Sequence, residues 1–238
     1  MSLNDILDAL FPLGHAVSVN RQVLTGQAQT ADGPVTVLGT TDAAAIDHRM
    51  ALALADCVLN TVEQHPGQPL VFLVDTSGQA LSRSQELLCL NGSLAHLASC
   101  VDLARRQGHR SLSLVTANAV SGGFLSFGLM ADRAYALADA QVRVMDLRAM
   151  ARVTKIAHER LVDLAGSSPT FAPGAENYRR MGGIEAIWPA PSAELLREAL
   201  TATADGSHDR RMVKGLERGG RKLAADVADT VQRAALAA

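Results

Sequence analysis

Five consecutive apolar residues, Leu70, Val71, Phe72, Leu73 and Val74, lie between Pro69 and the polar group Asp75, Thr76, Ser77 and Gly78. A run of strand length without polar alternation suits a strand covered on both faces, which requires further layers above and below it. Leu87, Leu90, Leu94, Leu97, Val101 and Ala104 then recur at steps of three and four, the spacing of one helical face, and the pattern ends near Gly108. A second apolar strand, with Leu112, Leu114 and Val115, follows directly. Strand, helix and strand over residues 70–116 have the order and length of a right-handed βαβ crossover, so the chain reads as α/β. Ligands of such units gather beyond the carboxyl ends of the strands. Two segments meet that condition, residues 75–83 and 116–123.

In the second segment Ser121, Gly122 and Gly123 form a turn into a short helix carrying Phe124, Leu125, Phe127, Leu129 and Met130. The helix is read as buried because it is apolar all round. A helix start leaves backbone N–H groups without an internal acceptor, and its dipole favours negative charge in front of it. Two glycines there admit a ligand, but they also admit tight helix packing, and both readings stand at this point. If the two strands are neighbours, N–H groups near Gly78, Gln79 or Ala80 and near Gly122 or Gly123 converge on one oxygen. A convergent pair is the minimum apparatus for stabilising an enolate or oxyanion. Asp75 either orients the first loop or is an ordinary turn carboxylate.

Elsewhere, residues 4–10 read as a short helix, residues 23–29 and 35–38 as a hairpin around Asp32-Gly33, and residues 43–63 as a long core-facing helix. Residues 134–138 and 142–145 read as short strands, residues 150–164 as a helix, and residues 166–174 as a Ser/Pro break. Gly182-Gly183 follows a helical stretch, residues 176–181, and is expected to cap it before a strand at residues 184–188. A helix at residues 193–201 leads to a segment, residues 205–222, holding Arg210, Arg211, Lys214, Arg218, Arg221 and Lys222. That segment reads as a solvated linker or as a basic patch for a phosphorylated cofactor. An Ala-rich helix, residues 224–237, follows.

With 238 residues and 48% hydrophobic content, the chain reads as a single domain over residues 1–238, with a helical tail from about residue 190. A formal net charge of -2 argues against a general nucleic-acid binder. No apolar run is long enough for a membrane span and residues 1–13 lack a basic start, so a cytoplasmic location is expected, with no membrane partner. Cys57, Cys89 and Cys100 are odd in number, lack metal-like spacing and read as small buried hydrophobes, so no metal is expected. The motifs of serine hydrolases, zinc proteases and phosphate-binding loops are absent. The seven histidines are scattered and read as structural or surface residues. A site built from backbone donors suits chemistry whose hard step is stabilising a negative oxygen, such as decarboxylation of a β-carboxyl thioester.

The chain resembles the carboxyltransferase branch of the crotonase-like superfamily, and within it the gamma subunits of malonate decarboxylases. The resemblance rests on Val74-Asp75-Thr76-Ser77-Gly78, on the helix over residues 86–108, and on Asn118-Ala119-Val120-Ser121-Gly122-Gly123-Phe124. It extends to Val144-Met145, Arg152-Val153-Thr154-Lys155, Phe171-Ala172-Pro173-Gly174 and Met181-Gly182-Gly183-Ile184. The resemblance implies a crotonase-like ββα superhelix of carboxyltransferase type, working beside a homologous beta subunit. It implies decarboxylation of a malonyl thioester, held on the phosphoribosyl-dephospho-CoA arm of an acyl carrier subunit or on CoA, to the acetyl thioester. An alpha subunit exchanges acetyl for malonate on that arm. Biotin-dependent relatives pass the carboxyl to biotin instead, and a non-catalytic, structural part in the complex is a third reading. Gly122 and Gly123 match the family's helix-start oxyanion motif, and Gly78 with Gln79 match the loop supplying the opposing donor. A bulky residue at Gly123 is then expected to stop turnover while leaving assembly intact. The chain departs from many carboxyltransferases in having Thr76-Ser77-Gly78-Gln79-Ala80-Leu81 in place of Thr-Pro-Gly with a further glycine.

Overall fold

A computed structural model describes residues 1–167, 172–203 and 209–237. The chain runs α1 (Leu3–Leu10), β1 (His15–Asn20), β2 (Val23–Thr30), β3 (Gly33–Thr40), β4 (Ala44–Ile46), α2 (His48–Gln64), β5 (Leu70–Gln79), α3 (Arg83–Leu87), α4 (Leu90–Arg106) and β6 (Ser111–Val120). It continues through α5 (Ser121–Ser126), β7 (Arg133–Leu137), β8 (Gln141–Arg143), α6 (Leu147–Thr154), α7 (His158–Ser167), α8 (Ala175–Arg180), β9 (Ala186–Trp188), α9 (Ala193–Ala202), α10 (Arg211–Glu217) and α11 (Lys222–Leu236).

The strands follow the order β1-β2-β3-β5-β6-β7-β9, with β4 added to β5 and β8 added to β6. The pairs β1–β2 and β2–β3 are antiparallel, and every later pair is parallel. The apolar run of β5 splits by period two between two cores. Leu70, Phe72 and Val74 face a cluster that includes Leu54 and Val58 of α2 and Leu97 and Val101 of α4. Val71 and Leu73 face a second cluster with Ile6, Leu7 and Leu10 of α1 and Leu196 and Leu200 of α9. Burial on both faces is why no polar residue interrupts the run, each such side chain contributing about 1.5 to 3 kcal/mol.

Several expected boundaries move, each for a local reason. The helix expected from residue 43 starts at His48, because Asp47 accepts the Met50 N–H at 2.8 Å as its N-cap. Ala44 and Ile46 before it are buried as a strand against β5. The α4 stripe loses Leu87, which is 76% exposed, since the chain turns at Cys89 with a left-handed φ of 58°. Lys155, with φ 63°, divides the helix expected over residues 150–164 into α6 and α7. The helix after Gly123 ends at Ser126, and Leu125 on it is 45% exposed, so it is buried on one side only. Cys89 is exposed rather than buried. Cys100 is buried and Cys57 half-buried against the core, burial pushing the Cys57 thiol up to about 11. Strand β1 carries no flanking turn signal, because Arg21 and Gln22 make its two-residue turn with φ of 47° and 67° in place of Asn-Gly.

The Gly182-Gly183 pair caps α8 as expected. The Gly183 N–H donates to Tyr178 O at 2.8 Å and the Gly182 N–H to Arg179 O at 3.0 Å, and Gly182 takes the left-handed φ of 86° that this motif needs. The basic segment after it is not a solvated linker. Residues 205–208 and Phe171 lie outside the described residues, but Lys214 on α10 donates to Glu185, and Arg133 lies 3.4 Å from the same carboxylate. Arg218 Nη1 donates to Arg179 O and Ile184 O at 2.9 Å each. These bonds fasten α10 across the α8–β9 turn. By contrast, α11 has no buried residue. No helix among the described residues is long and apolar enough to cross a membrane.

Two outcomes follow. Burial raises the Glu185 carboxyl, but Lys214, Arg133 and Arg218 outweigh it and hold the group below its ordinary 4.5. A lowered folded value contributes stability above the unfolded value, and that contribution is lost as pH falls through the folded one. Glu185→Gln is therefore expected to lower stability by about 1 to 3 kcal/mol at neutral pH, with the deficit shrinking below pH 4.5, as read by denaturant melts across pH. Arg21→Asn, relieving a left-handed position, is expected to raise stability by up to about 1 kcal/mol in the same assay.

Candidate functional site

The carboxyl halves of β5 and β6 leave the main sheet together. Past Val74, strand β5 takes β4 as a neighbour, and past Thr116, strand β6 takes β8. Their ends bring Gly78 and Gln79 beside Val120, Ser121 and Gly122. A Cβ built on Gly78 would lie 3.3 Å from Val120 O and 3.6 Å from Ser121 Cβ, and Gly78 itself has φ 106°. The expected turn between β6 and α5 is compressed to nothing, since the strand ends at Val120 and the helix starts at Ser121. Ser121 bears that change of direction with φ 49°, a left-handed position unusual for a residue with a Cβ. Strain of this kind, about 1 to 3 kcal/mol, concentrates where geometry serves a function.

All four candidate residues, Gly78, Gln79, Gly122 and Gly123, are thus neighbours in space. Their donors are engaged differently. The Gly122 N–H donates to Gln79 Oε1 at 3.1 Å. The Gly78 N–H donates to Thr76 Oγ1 at 3.0 Å, and the Ala80 N–H to Ile46 O at 2.8 Å. Only the amide oxygen of Gln79 can accept from an N–H, so its Nε2 carries two hydrogens with no acceptor among the described residues. The Gly123 N–H belongs to the first turn of α5 and has no acceptor within its own helix.

Gly123 also has a packing requirement. A Cβ there would meet Thr76 Oγ1 at 2.8 Å and the backbone of Gly78 at 2.9 Å. At Gly122 the nearest atom would be the flexible Gln79 Oε1, at 3.1 Å. A bulky residue at Gly123 therefore disturbs the β5–α5 contact within the chain as well as the candidate site.

Thr76 and Asn118 were not singled out as site residues from sequence. Thr76 is fully buried, and its hydroxyl donates to Ala44 O at 2.7 Å while accepting from Gly78, tying β4 to the loop. Asn118 donates its backbone and side-chain N–H groups to Asp75. A threonine two residues before a turn glycine is the one sequence signal for the first.

Two of the clefts among the described residues lie elsewhere. One of about 810 Å³ separates the β1–β2 hairpin from α2, and one of about 860 Å³ adjoins α10 and α11, with Arg211, Arg221 and Lys222 in its wall. Neither is lined by the four candidate residues. No cluster of three metal-ligating side chains occurs among the described residues.

The family model described as malonate decarboxylase gamma subunit matches residues 40–235. A curated relative, the malonyl-S-ACP:biotin-protein carboxyltransferase MADD of Malonomonas rubra, is 29% identical over 185 residues, covering 69% of this chain. The chain spans 63% of that relative's length. The fold matches a Pseudomonas malonate decarboxylase MdcD-MdcE hetero-dimer with a TM-score of 0.77, at 24% identity over 95% of this chain and 96% of that one. A Pseudomonas malonate decarboxylase hetero-tetramer in complex with coenzyme A matches with a TM-score of 0.75, also at 24% identity, over 95% and 97% of the two chains. The architecture is accordingly the crotonase-like carboxyltransferase fold expected from the resemblance. Since the family model covers residues 40–235, from the end of β3 into α11, this chain belongs to the malonate decarboxylase gamma subunit family.

Proposed function

We propose that the chain acts, beside a homologous beta subunit, in decarboxylating a malonyl thioester carried on the phosphoribosyl-dephospho-CoA arm of an acyl carrier subunit, or on CoA, with a separate alpha subunit recharging the carrier. The observation that carries the reading is the match of the gamma-subunit family over residues 40–235. Support for a paired arrangement comes from the hetero-dimeric state named for the Pseudomonas relative, and support for a CoA-type carrier from the coenzyme A complex.

In the reaction the bond between the α carbon and the carboxylate breaks, carbon dioxide leaves, and the electron pair moves onto the thioester oxygen as an enolate. The α carbon then takes a proton from water to give the acetyl thioester. Negative charge therefore grows on one oxygen, and donors aimed at it lower the barrier. In this chain the Gln79 amide, oriented by the Gly122 N–H, presents Nε2 as one donor, and the Gly123 N–H is the other. Gly78 serves by the close approach of β5 to Val120, its own N–H being engaged by Thr76. A side-chain amide thus takes the place of the glycine-supplied donor of many carboxyltransferases. The beta subunit supplies the facing wall.

The relative from Malonomonas rubra favours a second reading, since its name describes carboxyl transfer to a biotin protein. Carbon dioxide release from a malonyl thioester separates the two. Release by the chain with its beta partner, independent of biotin, is the expected result, whereas a strict requirement for biotin would move the assignment to a carboxyltransferase. Release by the beta partner alone would reduce this chain to a scaffold.

Removing one oxyanion donor costs about 100- to 1000-fold in turnover. Gln79→Ala is expected to lower kcat of the complex by that amount with its melting temperature unchanged, and full turnover in this variant would reject the donor assignment. Gly123→Ala is expected to lower stability by about 1 to 3 kcal/mol through overpacking, so its melting temperature falls together with its activity.

A further inference from the structure

The ladder between β5 and β6 breaks at one place, and a carboxylate fills the break. Val74 pairs with Val115 and Thr76 with Ala119, so Asp75 alone faces Thr116, Ala117 and Asn118. A second irregularity lies beside it, where Ala44 pairs with Thr76 and Ala45 with Gly78. Bulges of this kind bend a strand and leave backbone N–H groups without ladder partners. Asp75 supplies the missing acceptors. Its Oδ1 accepts from the Asn118 backbone N–H at 3.0 Å and from Asn118 Nδ2 at 3.1 Å, while Oδ2 accepts from the Ala43 N–H at 2.9 Å. Thr116 Oγ1 closes the gap from the other side by donating to Val74 O at 3.2 Å.

What this carboxylate holds is unfavourable without it. Asp42 and Ala43 are consecutive left-handed residues with φ of 56° and 49°, and neither is a glycine. Gln22 Nε2 donates to Asp42 O at 2.9 Å on the same turn. Four residues beyond Asp75 stands Gln79, and four beyond Asn118 stands Gly122. The 3.1 Å bond between those two joins the ends of the bent halves of β5 and β6, which part from the first halves at the break.

We propose that Asp75 is a positioning residue for the site: by bridging Ala43 and Asn118 it sets the offset of the β5 and β6 ends, and so holds the Gln79 amide against the Gly122 N–H. The proposal rests on the reading of Gln79 and Gly122 as part of the site.

The test uses the complex with the beta subunit and the variants Asp75→Asn and Asn118→Ala. In Asp75→Asn one oxygen remains for Asn118, while an amide NH2 faces the Ala43 N–H, two donors opposed. The expected result is a fall in kcat of about 10- to 100-fold from misplacement of the site, with KM for the malonyl thioester changed less than about threefold. Faster hydrogen exchange at the Gly122 amide accompanies it. Combined with Gln79→Ala, the loss is expected to be no greater than that of Gln79→Ala alone, because both act through one bond. Unchanged Gly122 exchange alongside faster exchange at Asn118 and Ala43 overturns the proposal, and so does full additivity with Gln79→Ala. If Asp75→Asn fails to fold, Asn118→Ala, which deletes only the side-chain bond, carries the same measurements. Full turnover in Gln79→Ala would sink the site reading alone, since Gly122 exchange in Asp75→Asn still decides whether the carboxylate positions that amide.

Discussion

Two long parallel strands organise this chain. Over their first halves, β5 and β6 lie side by side in the middle of the sheet, with Leu70, Phe72 and Val74 in one core and Val71 and Leu73 in the other. Over their second halves they part from β3 and β7 and take β4 and β8 instead. Strands that change neighbours must bend, and a bend exposes backbone groups that need acceptors. Asp75, Thr76 and Thr116 provide or occupy them. The candidate site is what lies beyond the bend, so the core and the site share one backbone path.

A second constraint acts at the other end of the chain. The α8–β9 turn at Gly182-Gly183 is small enough for α10 to press on it, and Arg218 reaches three carbonyl oxygens there, those of Arg179, Ile184 and Glu185. Glu185 collects Lys214, Arg133 and Arg218 around a carboxylate that is largely shielded from solvent. A half-buried carboxylate gains from such partners, because an unpaired charge withdrawn from water is costly. Charge that reads as a solvated run in one dimension is therefore distributed over specific acceptors in three.

The Gln79–Gly122 bond gives the site a character of its own. In the proposed function an amide side chain takes one donor's place, and the structure shows its oxygen held by the Gly122 N–H. A side-chain donor is more adaptable than a backbone one but loses rotamer freedom on fixation, a cost the Gly122 bond offsets. Gly123, by contrast, is confined by Thr76 and Gly78 on the far side of the helix start. Of the two readings open from sequence, the surroundings of Gly123 show tight packing, while the Gly122 N–H is engaged by Gln79.

The amino-acid sequence by itself determined the parallel α/β centre, the hairpin of β2 and β3, the cap at Gly182-Gly183 and the family, because each is written in local residue order: apolar period, turn chemistry and motif spacing. It also placed Gly78 and Gln79 in a segment beyond one strand and Gly122 and Gly123 at the helix start beyond the next. Only the tertiary structure decided where residues 43–63 divide between β4 and α2, that Arg21-Gln22 turns a strand pair without glycine, and that the basic segment docks. Those outcomes depend on partners far away in the chain. The Asp47 cap is local, but β4 is a strand through its pairing with β5, and Lys214 finds its acceptor in Glu185, 29 residues upstream. Which N–H groups of the site are already engaged is likewise a matter of register between strands, and register between distant strands is set by the packing of whole faces, which no local pattern encodes.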